Sequence, residues 1–275
     1  MMNNSQVTLS AKSVTRLNQW KRGIQSEYEP FLTVRKVNKV GRRHWVYCPV
    51  QNREVHLLSD GELRAYKILL SMPETCAVRE QYALDIDDTM VIAAELGYLH
   101  PRNYKTREAT VMTTDFVVDR KVVGKMQRVA YTFKYTSQMF EDENGSTPGP
   151  KFWRTFQKFE IERQYWARRG VKYRIITEKH ATKEHFWNLR FCEDCRDMEV
   201  DDGLLGIFID ALYSQWDRCR TKQLQVLCTE LGRLIGISAT QAMRLFKFGV
   251  YHSYILISQD SHLRPFRPVQ LLPFE

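Results

Sequence analysis

Residues 112–136 read MTTDFVVDRKVVGKMQRVAYTFKYT, and the reading of the fold starts from them. MTTDFVVD and QRVAYTFKYT are rich in Thr, Val, Phe and Tyr, which fit a pleated surface, and RKVVGKM between them carries the glycine of a turn. The pattern predicts two strands joined as a hairpin. Asp115 lies inside the first run, although Asp is depleted in strands. An ionised Asp on a strand that packs on a core must be paired, bound to a metal or turned to solvent, because burying a lone charge costs several kcal/mol. On the second run the two-residue period places Thr132 and Lys134 on one face and Tyr131, Phe133 and Tyr135 on the other. Two readings of Asp115 and Lys134 compete. One is a cross-strand ion pair of about 0.2–1 kcal/mol. The other is a phosphodiester hydrolysis site, in which a carboxylate holds magnesium and a lysine orients water and offsets charge on the phosphate.

Downstream, DENGSTPGP (142–150) breaks the chain. KFWRTFQKFEIERQYWARRG (151–170) sets Phe152, Phe156, Phe159 and Trp166 at helical spacing, with Gly170 as the stop, and VKYRIIT (171–177) follows as a strand. Such a helix-to-strand unit places helices against a sheet. Upstream, residues 13–23 predict a helix capped by Ser13 and closed by Gly23. FLTVRKVNKVGRRHWVYCPVQNREVHLLS (31–59) reads as two or three short strands broken at NKVGR and PVQNR. A helix begins at Ser59 with Leu63, Tyr66, Leu69 and Leu70 on one face. Next come a strand from Val78 to Tyr82 and a helix from Thr89 to Gly97. Past Glu178 the composition changes, and CEDCRDMEVDDG (192–203) carries six acids against one Arg, as an acidic turn or linker would. TKQLQVLCTELGRLIG, ISATQAMRLFKF and VYHSYILIS then give helix, glycine turn, helix and strand, the order of a winged helix-turn-helix. The expected architecture is an α/β domain over 1–180 followed by a mainly helical, winged-helix-like domain over 181–275.

The 275 residues are 43% hydrophobic, enough to bury a real core and too apolar for a disordered chain. The net charge is +9, and the first sixty residues hold ten Lys and Arg against four Asp and Glu. Basic residues with interleaved aromatics, as in LNQWKRG and KVGRRHWVY, suit a polyanion such as DNA, with Lys21, Arg22, Arg42 and Arg43 the candidate phosphate contacts. A merely solvated basic face has the same composition. The longest nearly apolar run, LLGIFIDAL (204–212), falls short of the roughly 20 residues of a membrane span, and MMNNSQVTLSAK lacks the apolar segment of a signal peptide. No membrane partner and a cytoplasmic location are expected. Six cysteines in such a chain are expected to be reduced thiols, and CEDC alone is half a zinc site.

Magnesium usually takes more than one protein ligand, so a second acid is sought upstream. Glu62, in SDGELRAYK, is the candidate, but Ser59 and Glu62 also fit an S-x-x-E capping box, in which the Glu reaches back to a backbone N–H. Asp85, Asp87 and Asp88 suit a helix N-terminus. Glu160 and Glu162 read as a solvated or salt-bridged helix face, with Glu162 a minor candidate for a supporting role. Arg163, Arg168, Arg169 and Lys172 suit either phosphate or a helix end, and His56 and His100 are expected to be structural.

The blocks LTVRKV, VHLLSDGELRAY, REQYAL, MTTDFVVD, the strand bearing Lys134, and FEIERQYWARRGVKYRIIT resemble, in order and spacing, the TnsA family, the endonuclease subunits of heteromeric bacterial transposases. The resemblance spans roughly residues 28–180. It implies a restriction-endonuclease-like N-terminal domain with a mixed central sheet flanked by helices. Its active site pattern, a Glu on the first core helix, an Asp on a strand and a Lys two residues after a Gln or Glu, falls on Glu62, Asp115 and Lys134. This chain departs from the pattern at Thr132, and a hydroxyl is a weaker magnesium ligand than a carboxylate; water or the Phe133 carbonyl could fill that position. The resemblance further implies Mg2+, with Mn2+ as substitute, transposon-end DNA as substrate and nicking of the 5′, non-transferred strands. A TnsB-type transposase and a TnsC-type ATPase regulator, the latter at the C-terminal domain, are the implied partners. A DNA-binding bridging subunit with a decayed nuclease, and a free-standing restriction endonuclease, are the alternatives.

Overall fold

The predicted hairpin is the centre of the first of two units. The computed structural model describes residues 7–37, 41–142 and 144–273, and the chain divides into 1–70 with 74–180, and 71–73 with 181–275. Strands β4 (Thr113–Val122) and β5 (Lys125–Phe133) pair antiparallel from Val122 opposite Lys125 to Phe116 opposite Tyr131. Val123 and Gly124 connect them at φ 47° and 75°, the left-handed pair whose twist matches that of the strands. β3 (Thr75–Ala83) adds antiparallel to β4, and β6 (Lys172–Ile176) adds parallel to β5, giving a mixed sheet of order β3-β4-β5-β6. A parallel pair needs a crossover, which α4 (Phe152–Ala167) supplies.

Helices cover both faces of this sheet. Val117 and its partner Ala130 join Ile161, Tyr165 and Trp166 of α4 and Ile92 and Ala93 of α3 (Ile86–Glu95) in one buried cluster. The adjacent Phe116 points the other way, with its ring 6.3 Å from that of Tyr66 on α2 (Asp60–Ser71). Each such fully buried side chain contributes about 1.5–3 kcal/mol. A smaller cluster of Leu17, Phe31, Ala83, Ile86 and Ala109 seats α1 (Ala11–Gly23) on the same unit.

Several local expectations are corrected. Ser13 lies inside α1, whose N-cap position is Ser10. The segment FLTVRKV forms no strand over its residues: Phe31 turns into the α1 cluster and Lys36 N–H closes a turn on the Thr33 carbonyl at 3.0 Å. The strands of that region are β1 (His44–Cys48) and β2 (Arg53–Leu57), a separate antiparallel pair, and residues 38–40 of the NKVGR break lie outside the described residues. α3 starts before Thr89 because the Asp85 carboxylate caps it, accepting the Asp87 and Asp88 N–H groups. On α4, Phe156 is 41% exposed and stacks along Phe152, so the buried face is Phe159, Ile161, Glu162, Tyr165 and Trp166.

The second unit is helical: α5 (Lys183–Cys192), α6 (Asp202–Cys219), α7 (Leu224–Ile235) and α8 (Ala239–Tyr251). The acidic segment becomes a short helical turn, Glu193–Cys195, and the α6 cap, where Asp201 accepts the Leu204 N–H at 2.7 Å. α7 and α8 meet through Gly236, at φ 80°, and Ser238, whose hydroxyl caps α8. At Gly232 a Cβ would stand 2.8 Å from the Ile237 carbonyl, so the tight return of the chain requires glycine there. The strand expected over 250–258 is reduced. Val250 and Tyr251 complete α8, and beyond them Ile257 forms an isolated bridge with Leu271. All six cysteines are free thiols. Among the described residues, no helix is long and apolar enough to cross a membrane.

Candidate active site

The sheet forks at Asp115. The β4–β5 ladder ends at Phe116 opposite Tyr131. Beyond it β4 stays with β3, through Tyr82–Thr114 and Ala83–Thr113, while β5 stays with β6, through Thr132–Ile175 and Phe133–Ile176. The Phe133 N–H, released from the β4 ladder, donates to Asp115 Oδ2 at 2.8 Å. A charged residue inside a strand is thus explained by the fork, where a side-chain oxygen replaces a ladder partner.

Glu62 approaches from α2. Its N–H donates to Ser59 Oγ at 3.1 Å, its Oε2 accepts the Leu58 N–H at 2.8 Å and its Oε1 accepts from Ser59 Oγ at 3.2 Å. The capping box is therefore formed, with the Glu reaching to Leu58. It does not exhaust the carboxylate, which offers about four lone-pair sites. Oε2 also accepts from Gln81 Nε2 at 3.1 Å, and the same nitrogen lies 3.4 Å from Asp115 Oδ1. One carboxamide thus joins two acids from different elements. The approach of α2 depends on Gly61, where a Cβ would stand 2.0 Å from the Phe133 ring.

Glu62, Asp115, Thr132, Phe133, Lys134 and Glu162 all line one cleft of about 430 Å³. Lys134 extends β5 past the fork, its N–H donating to the Ile176 carbonyl at 2.9 Å. Thr132 is turned toward α4: its hydroxyl donates to Glu162 Oε2 at 2.7 Å, and Thr114 Oγ1 donates to the same oxygen at 3.0 Å. Glu162 corrects an expectation. It is 5% exposed rather than part of a solvated face, and burial, reinforced by the Asp115 charge, pushes its carboxyl up to about 8. Glu160 does form the expected surface pair, with Arg163.

The cations proposed for DNA separate. Arg42 lines the cleft. Arg43 instead donates to the Val34 carbonyl at 2.9 Å, Lys21 pairs with Asp85, and Arg22 is exposed on the last turn of α1. Arg168 and Arg169 pair with Glu95 and Asp88. Trp20 packs edge-on against Tyr28, Phe31 and Tyr82, so this ring of the basic arm is half-buried against the α1 cluster. His100 is buried and bonded to Thr89 Oγ1 at 3.0 Å, and burial lowers its pKa to about 4, which keeps it neutral. Sequence reasoning missed Gln81. The available signal was REQ, three consecutive polar residues in a segment expected to be a strand.

The donors meeting at the fork are hard oxygens, and His and Cys do not occur among the described residues lining the cleft. Among the described residues no three His, Cys, Asp or Glu side chains converge as a ready metal cage. Magnesium binds through one or two carboxylates and keeps several waters, so the pair Glu62 and Asp115 fits that ion without a third acid.

Comparison with known sequences adds the lineage. The family described as TnsA-like endonuclease N terminal matches residues 72–178. The chain is also 30% identical over 242 residues to the Transposon Tn7 transposition protein TnsA of Escherichia coli, covering 84% of this chain and 83% of that protein. The chain belongs to the TnsA family. Asp115, Lys134 and Glu162 fall inside the segment that matches the TnsA-like endonuclease family, whereas Glu62 lies before it.

Proposed function

We propose that this TnsA-family chain is a magnesium-dependent DNA endonuclease that nicks the 5′, non-transferred strands at transposon ends within a heteromeric transposase. Its first unit acts as a restriction-endonuclease-like nuclease, and its helical second unit serves as a winged-helix-like contact domain. The observation that carries the reading is that Glu62 of α2 and Asp115 of β4 share one amide nitrogen at 3.1 and 3.4 Å while Lys134 lines the same cleft. Glu62 and Asp115 would hold Mg2+, or Mn2+ in its place, which when bound lowers the pKa of water and polarises the phosphate. The Lys134 ammonium orients the attacking water and offsets charge that builds on the phosphate oxygens. Arg42, which lines the cleft, contacts the DNA backbone. The Phe133 N–H fixes the Asp115 carboxylate, and the capping box fixes that of Glu62, so both acids are oriented before substrate arrives. A TnsB-type transposase cuts and joins the other strands, and a TnsC-type ATPase regulator docks on the second unit.

The test supplies transposon-end DNA, a TnsB-type transposase, a TnsC-type regulator and Mg2+. The wild type is expected to release the element from both strands, and Asp115→Ala to leave the 5′ strands joined. Full excision by Asp115→Ala would remove the site assignment. A second reading, a bridging subunit whose nuclease has decayed, draws on Thr132, whose hydroxyl is committed to Glu162. That reading expects no nicking by the wild type and a gain of cleavage in Thr132→Gln.

A further inference from the structure

Gln81 has no part in the hydrolytic scheme, yet it is buried and hydrogen-bonded on several sides. Its side chain is 1% exposed, and its backbone sits at φ 50°, a left-handed conformation that a non-glycine residue keeps only where its surroundings impose it. The β3–β4 ladder pairs Glu80 with Phe116 and Tyr82 with Thr114 and passes over Gln81. Its carbonyl accepts the Phe31 N–H at 3.1 Å, which anchors the turned backbone from outside the sheet. Strand alternation is broken as a result, and two successive polar side chains are buried. Glu80 pairs with Arg53, while Gln81 reaches both acids of the fork. Its Oε1 accepts from Thr113 Oγ1 at 3.4 Å, which orients the amide so that its nitrogen faces the acids.

We propose that Gln81 is a positioning residue for the divalent cation, a neutral clamp that holds the Glu62 and Asp115 carboxylates together from the buried side; this rests on the hydrolytic reading above. Both acids line the cleft, and Gln81 is not among the lining residues, so it supports the acids from behind. A primary amide suits the task. It has two N–H donors, one for each carboxylate, and no charge to cancel the negative potential that a cation requires. A lysine or arginine would neutralise that potential, and a glutamate would donate nothing. The left-handed backbone is what aims the side chain at the acids, which assigns the local strain a role.

Calorimetric titration of the full chain with Mn2+ tests the proposal, using Gln81→Leu, Gln81→Glu, Asp115→Asn and Val117→Ala. Val117→Ala is a core truncation that controls for loss of stability, and circular dichroism confirms that each variant is folded at the temperature used. Gln81→Leu is expected to weaken Mn2+ binding by about 10–100-fold, as loss of an outer partner of metal ligands does. Gln81→Glu is expected to weaken it too, and Val117→Ala to leave it unchanged. Wild-type affinity in Gln81→Leu, or an equal loss in Val117→Ala, overturns the clamp. Tighter binding by Gln81→Glu also overturns it, since that result makes position 81 a ligand. The failure of the underlying reading is distinct: a wild type that does not bind Mn2+, or an Asp115→Asn variant that binds it as well as the wild type, removes the metal site and the clamp together.

Discussion

At the scale of single residues, Glu62 shows that a capping box need not use up a carboxylate's hydrogen-bonding capacity. Its carboxylate closes the capping box and still faces Asp115 through the Gln81 amide. In the sequence, Asp115 and Lys134 stand out as charges inside β-forming runs, whereas Glu62 is selected by the resemblance to the TnsA family, since its local pattern also fits a capping box; the structure brings all three to one cleft. Gln81 does not stand out in the sequence, and Glu162 does so only as a minor candidate. Gln81 is placed by a left-handed backbone and by contacts to a residue 34 positions away, and Glu162 sits on a helix whose other acid, Glu160, is ordinary surface. Glu162 carries a pH prediction. Its carboxyl is raised from an ordinary value of 4.5 to about 8, chiefly by burial, so the folded state holds a proton that the unfolded chain releases. That stabilisation is complete below pH 4.5 and is lost as pH rises through about 8. Melting temperatures of metal-free protein across this window should fall with pH in the wild type and fall less in Glu162→Gln. Equal slopes would show that the carboxyl is not raised. Lys134→Ala should slow 5′ strand cleavage by about 10²–10³-fold, the usual loss for one charge-stabilising donor, with DNA affinity nearly unchanged in a gel-shift assay.

At the scale of elements, the final strand, mostly exposed with Tyr173 against the α4 cluster, is legible from its β-forming residues, and the hairpin and the helix that follows could be read from periodicity, because each buries an apolar face on one sheet. The fork could not, since no local pattern reveals where β4 leaves β5. The turn at 31–37 was misread as a strand because β-forming residues there serve a core cluster instead. The seating of α2 yields a prediction. Gly61→Ala drives a methyl group into the Phe133 ring and should cost about 1–3 kcal/mol by overpacking, with a larger loss of cleavage than of stability because Glu62 is the next residue. Adding Phe133→Val should restore part of both, and denaturant melts of the two single variants and the double variant measure the coupling. Strict additivity would mean that α2 does not rest on that ring. Asp85→Ala removes the α3 cap and the partner of Lys21, and should cost about 1–2 kcal/mol in the same assay.

At the scale of the whole molecule, Glu62, Asp115 and Lys134 lie in the first unit, and the second is a helical array. Composition foretold a buried core and a basic first segment, but not which cations face the cleft; of the four proposed, the structure brings Arg42 there. The second unit offers a glycine-turned helix pair, α7 and α8, without the expected strand, because α8 runs on through Tyr251. The measurement that bears most directly on the whole account is anomalous diffraction from crystals grown with Mn2+. A single peak at coordinating distance from both Glu62 and Asp115 carboxylates, about 2 Å, is the predicted result. A peak elsewhere, or no peak while Glu62 and Asp115 face each other across the Gln81 amide, would contradict it.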